Sequence, residues 1–293
     1  MLGGRAFCAT HFAHVTHERR SATAPLFIEI GALVLFAGAA SLLAALPAEA
    51  IQGSSHVLIG VLLALVPAAI WLVAFYRQDR LEPEPKRYVL GVFVLAAGLA
   101  AAVGQPLLRT VFDVQSWIYD GPVNGILGSV FLIGMLQEFL KYAAVRYTVY
   151  NTAEFDERVD GIIYGAAAGL GYATALNLAY VVSHDGVHLG AGAIQVAVTA
   201  LAHASFSAVV GYFLGRAKFE RRSMLWLPAG LLLASVLDGA VSFALREVPM
   251  LTGLDYRPWY GLVLAAIVAS GTFAAVYALI HRINMATFAA QRG

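Results

Sequence analysis

The chain has 293 residues, 60% of them hydrophobic and 13% charged, with a net charge of +1 and a mean hydropathy of +0.73. Soluble domains carry about 25% charged residues, so the composition excludes an ordinary water-soluble enzyme. No basic face interleaved with aromatics suggests nucleic acid as a partner, and the single cysteine, Cys8, excludes an intramolecular disulfide framework.

The first 24 residues are the longest polar segment, and their first apolar run comes only after the arginines, so they do not read as a signal peptide. They hold Cys8, His11, His14 and His17 at intervals of three. On a helix these would share one drifting face able to bind zinc or a haem iron. A zinc ribbon needs a second ligand pair that the chain lacks, so the segment reads as a solvated, His-rich tail.

Eight apolar stretches follow, at 26–46, 56–75, 88–111, 123–146, 161–182, 189–214, 224–245 and 259–280. Each approaches the roughly 20 residues that cross a hydrocarbon core, and none alternates with period two. The expected fold is therefore all-α, a polytopic integral membrane bundle of about eight transmembrane helices. We divide the chain into a tail (1–24), one transmembrane domain (25–285) and a short C-terminal tail (286–293). Of nineteen Lys and Arg residues, fifteen fall on the side shared by the termini and the loops after spans 2, 4 and 6. Arg109, Arg246 and Arg257 fall on the other side and Lys141 lies inside span 4. This asymmetry predicts cytoplasmic termini.

In chain order, Glu29 sits near the mouth of span 1, and "YRQDRLEPEPKRYV" joins spans 2 and 3. Two prolines one residue apart stop a helix, and the loop reads as a stiff hairpin anchored at the headgroups. Span 4 contains "GMLQEFLKYA", with Gln137, Glu138 and Lys141; the last two, at i and i+3, can pair. Span 5 spaces Gly161, Gly165 and Gly169 by four, a small-residue face that lets helices approach closely in lipid. It reads as a central helix, and it also carries Asn177. Span 6 carries His203, and span 7 carries Asp238 and Ser242.

A charge in mid-bilayer costs at least ~2.5–3.5 kcal/mol, so such residues face a protein interior and pair or do chemistry. Four consecutive spans each deliver a polar group, and the expectation is one intramembrane cluster. Glu138, Lys141, Asn177 and His203 should line one polar cavity. A carboxylate beside a histidine can activate water or hold a metal, and an amide or cation can stabilise an oxyanion. That chemistry suits amide hydrolysis within the membrane. A proton or ion path is the rival reading.

Together "DRLEPEP", "QEFLK", "FDERVDGIIYGAAAGLGYATALN" and "HASFSAVVGYFLG" resemble the PrsW family of bacterial intramembrane proteases, which is related to the CAAX-prenyl-protease and APH-1 proteins. The resemblance spans roughly 77–243 and implies a multi-pass protein of the bacterial inner membrane that acts on, or binds, other membrane proteins. Of the family's Glu-Glu-x-x-Lys motif, Glu138 and Lys141 match, while Gln137 stands where the water-activating Glu is expected. Leu176 stands where a Glu usually precedes Asn177. His203 matches, and Asp238 and Ser242 replace the His and the Asp or Asn of the last motif. By resemblance the catalytic set is Glu138, His203, Lys141 and Asn177, and Glu138, His203 and Asp238 could hold a divalent metal such as zinc. Glutamine has no basic carboxylate, so the departures favour a depleted, weak or inactive member acting as a binding or structural subunit. An active intramembrane protease is the alternative, and a proton-coupled channel or transporter the third reading.

Overall fold

The computed structural model describes residues 54–77, 84–183, 191–247 and 258–290. The expected first span, Glu29 and the series Cys8, His11, His14 and His17 lie outside the described residues. Among the described residues there is no strand, and seven helices are long and apolar enough to cross a membrane. The expected all-α membrane architecture holds.

Helix α1 is Ser54–Tyr76 and α2 is Lys86–Leu99, the latter continuing through π-helical turns at Ala100–Gly104 and Leu107–Val111. Two short helices follow, α3 Val114–Trp117 and α4 Pro122–Leu127, and then a π-helical segment, Gly128–Gly134, which runs directly into α5, Met135–Arg146. The remaining helices are α6 Asp160–Ser183, α7 Ala191–Phe219, α8 Trp226–Glu247 and α9 Pro258–Ala290. Each apolar stretch predicted from residue 56 onward corresponds to one of the seven spans, with ends shifted by up to six residues, which is the usual fraying of such boundaries.

Helices α6 and α7 form the centre. In each, 78% of the most apolar window is buried by other helices, against 22–39% in the remaining spans. The reason lies in small residues meeting across the pair. A Cβ on Gly161 would strike the Gly211 carbonyl, one on Gly165 the Ser207 carbonyl, and one on Gly169 the His203 carbonyl. The two helices therefore run past each other with backbones in contact, in a register of four residues on each. On another face of α6, Gly171 packs against the Phe93 carbonyl of α2.

A second close approach is made by α8. A Cβ on Gly134 would meet the Ser235 carbonyl, and one on Gly239 would lie 2.6 Å from the Val130 Cα. The π-helical segment before α5 is thus fitted to the small residues of α8. Such segments are often found at functional sites. Together with the α6–α7 contact, this approach sets the spacing of α5, α7 and α8.

At one end of the bundle the loops after the second, fourth and sixth expected spans meet. Arg158 Nε lies 3.0 Å from Glu220 Oε1, and Lys218 Nζ donates to the Tyr150 and Phe155 carbonyls at 2.5 and 2.6 Å. Glu84 is also here. The sequence reading made its loop a headgroup anchor, but the side chain is only 3% exposed and accepts a 2.6 Å hydrogen bond from the Tyr164 hydroxyl. The Tyr76 hydroxyl donates to the Glu84 carbonyl at 2.9 Å.

Candidate active site

On α5, buried positions fall at Gln137, Glu138, Leu140, Lys141, Ala144 and Val145, the spacing of one helical face. That face meets α6 and α7, so Glu138 and Lys141 point inward, at 0% and 1% exposure. On α7 the strip that packs against the α6 glycines carries His203 and, four residues on, Ser207. On α8, Asp238 precedes Gly239, the residue whose missing side chain admits the π-helical segment. Each site residue is therefore positioned by an adjacent small-residue contact.

These side chains converge on one point. Lys141 Nζ donates to Glu138 Oε1 at 2.6 Å, to His203 Nδ1 at 2.7 Å and to Asp238 Oδ2 at 3.3 Å. His203 Nδ1 lies 3.5 Å from Asp238 Oδ2. The second Glu138 oxygen accepts from Ser207 Oγ at 3.1 Å. The Tyr172 ring flanks the group, its centroid 5.0 Å from Lys141 Nζ and 5.9 Å from that of His203.

Beside this cluster lies a cavity of about 200 Å³, walled by Gln137, Asn177, His203, Asp238 and Ser242 among others. Leu176 is also on its wall. The expectation that Glu138, Lys141, Asn177 and His203 would line one cavity thus needs a correction. His203 and Asn177 line it; Glu138 and Lys141 do not, because they are packed behind His203 and Asp238. Asn177 stands apart from the ionic cluster, its Nδ2 donating to the Val196 carbonyl at 3.2 Å. Gln137 Oε1 is buried at the cavity and has no hydrogen-bond partner.

Two residues of this site were not read from the sequence. Ser207 holds Glu138, and its signal was its place four residues after His203 on the small-residue strip. Tyr172 is fully buried, its hydroxyl without a partner and pressed against Gly104 in the π-helical turn. Its signal was its place three residues after Gly169.

One donor atom from each of Glu138, His203 and Asp238 lies within 4.8 Å of the others, and the 3.5 Å edge between His203 and Asp238 would suit a metal polyhedron. As arranged, however, the set does not fit a divalent metal. The Lys141 ammonium contacts the same three side chains and fills the space between them. A metal ion and an ammonium cannot share that point.

Residues 84–270 match the profile described as PrsW family intramembrane metalloprotease. The chain is 31% identical to Protease PrsW of Bacillus subtilis (strain 168) over 68% of this chain and 90% of that protein. It is 34% identical to Protease PrsW of Geobacillus kaustophilus (strain HTA426) over 62% of this chain and 77% of that one. Against Protease PrsW of Clostridioides difficile (strain 630), identity is 27% over 71% and 84%. No solved structure matches the chain at a significant level.

Proposed function

Because the chain belongs to the PrsW family of intramembrane metalloproteases, we propose that it is a bacterial intramembrane endopeptidase by descent whose centre is depleted. It cleaves weakly or not at all, and acts as a membrane-embedded subunit that binds another membrane protein. We place it in the inner membrane with both termini in the cytoplasm, on the cation asymmetry of its loops.

One observation carries this reading. The cavity wall offers a neutral amide, Gln137, where a water-activating acid would have to stand, while Glu138 is turned away and held by Lys141 and Ser207. An amide cannot take a proton from water at neutral pH, and a carboxylate with no access to the cavity cannot reach one. Moving the base role from position 137 to 138 would require about 100° of helix rotation. Leu176 on the cavity wall removes a second place for an acid.

What remains is a binding surface. Asn177 and Gln137 present neutral hydrogen-bonding groups beside the cavity, suited to the backbone amides of a membrane-embedded polypeptide. A second reading has a specific observation in its favour: His203 and Asp238 both reach the cavity wall, and an imidazole beside a carboxylate can serve as a base. The metal set Glu138, His203 and Asp238 belongs to that active reading and requires Lys141 to leave. A channel is disfavoured because, among the described residues, the ionic side chains Glu138, Lys141, His203 and Asp238 close on one another.

The test is Gln137→Glu, assayed with wild type on a transmembrane reporter in proteoliposomes. General-base catalysis supplies 10²–10⁴-fold, so restoring the carboxylate at the cavity should raise cleavage by at least about tenfold, and His203→Ala should abolish the gain. A wild type that cleaves robustly, at the level of Gln137→Glu, would refute the depleted reading.

A further inference from the structure

We propose that the Lys141 ammonium is the resident cation of this centre and that it excludes a divalent metal from Glu138, His203 and Asp238. The inference deepens the depleted-centre reading and rests on the same residues.

A lysine ammonium has three N–H donors and no acceptor. Here three acceptors on three helices meet it, Glu138 Oε1, His203 Nδ1 and Asp238 Oδ2, at 2.6, 2.7 and 3.3 Å. Its hydrogen-bonding capacity is used in full, and every contact goes to one of the three side chains a metal would need. A zinc ion bonded to these donors at about 2.0–2.2 Å would have to sit at the point close to all three, which is where Nζ already is.

Charge points the same way. The ammonium already offsets one of the two carboxylates, and a dication brought to the same point would meet that like charge at contact. The Tyr172 ring face, 5.0 Å from Nζ, adds further attraction for a cation at this position.

The lysine also has nowhere to go. On its far side is a void of only about 10 Å³, bounded by Gly165, Ser207 and Gly211 among others, too small to receive the ammonium and its hydration. The larger cavity is walled off from it by His203 and Asp238, and Lys141 does not line it. Binding a metal would therefore require the α5–α7 contact to repack.

The test uses the full chain purified in detergent without chelators, dialysed against zinc chloride and then against buffer, with zinc measured by mass spectrometry. Any zinc held by Cys8, His11, His14 and His17 is common to all variants, so only the part lost in His203→Ala counts. Wild type should show less than about 0.1 such zinc per chain, and Lys141→Met about one, lost again in Lys141→Met/His203→Ala. About one His203-dependent zinc in wild type would overturn the inference, as would a folded Lys141→Met that takes none. Should Lys141→Met not fold, the wild-type melting temperature decides. The inference expects zinc to move it equally in wild type and His203→Ala, and a larger rise in wild type would overturn it. The assays are separable: a zinc-free protein that cleaves its reporter would sink the depleted reading alone, and a zinc-loaded protein that does not cleave would sink this inference alone.

Discussion

Two buried acids in this molecule solve the same problem differently. Glu138, between the spans, keeps company with a cation, and its charge is offset by Lys141 and a hydroxyl from Ser207. Glu84, at the loop end of the bundle, hydrogen bonds to the Tyr164 hydroxyl. Burial pushes its carboxyl up from 4.5 to about 7, more than the hydrogen bonds from Tyr164 and Asp160 pull it down, and the nearby Asp156 and Glu154 push it further up. A group inside lipid must bring its counter-charge with it, whereas a group within reach of water can shed its charge by taking a proton. Glu138 is held by a paired cation, whereas Glu84 lies outside the spans and has its carboxyl raised by burial.

The contrast is broken most severely at Lys141. Lys141→Ala leaves Glu138 and Asp238 facing each other without a cation, and removing one partner of a buried pair costs about 3–5 kcal/mol. Chemical unfolding in mixed micelles should show that loss, and adding Asp238→Asn should recover part of it. If Lys141→Ala were as stable as wild type, the ammonium would not be holding the centre.

The next effect in size concerns the scaffold that aims these groups. Gly169→Ala would drive a methyl into the His203 carbonyl, and Gly171→Ala one into the Phe93 carbonyl. Overpacking of this kind costs about 1–3 kcal/mol. Gly91 and Gly98 have nothing within 4 Å of a built Cβ, so Gly91→Ala and Gly98→Ala should be neutral or stabilise by about 0.5–1 kcal/mol. Equal losses at all four positions would mean that helix approach is not what these glycines serve.

The titrating site gives a smaller effect with a definite sign. With its folded value raised to about 7 from 4.5, Glu84 holds a proton in the folded protein that it has lost in the unfolded chain across that window. Its contribution therefore favours folding at low pH and fades as pH rises from about 4.5 to about 7. Comparing unfolding at pH 5 and pH 8, Glu84→Gln should lose less stability on the way up than wild type. A steeper loss in Glu84→Gln would contradict the assignment.

Most of the architecture was legible in the sequence, because in lipid the rules are few. Apolar length fixes a span, and the four-residue recurrence of Gly161, Gly165 and Gly169 named the helix that sits at the centre. The convergence of Glu138, Lys141, His203 and Asp238 was legible too, since each is too costly to leave alone. Which of them face the cavity was not. That depends on rotation about α5 by a single residue, which separates Gln137 from Glu138, and no periodicity in a short apolar stretch fixes it. Glu84 was misread because its loop has the composition of a headgroup anchor, and only the approach of Tyr76 and Tyr164 reveals that it is folded in. Ser207 and Tyr172 were missed because a serine and a tyrosine in a small-residue helix look like packing.

In this centre an amide, Gln137, stands where a water-activating acid would be, and the Lys141 ammonium holds the acids behind it. The most direct measurement is cleavage of a transmembrane reporter by the purified wild-type chain in proteoliposomes, beside His203→Ala. Wild type should cleave at or barely above the background of empty vesicles, and His203→Ala should change that rate little. Robust wild-type cleavage that disappears in His203→Ala would contradict it.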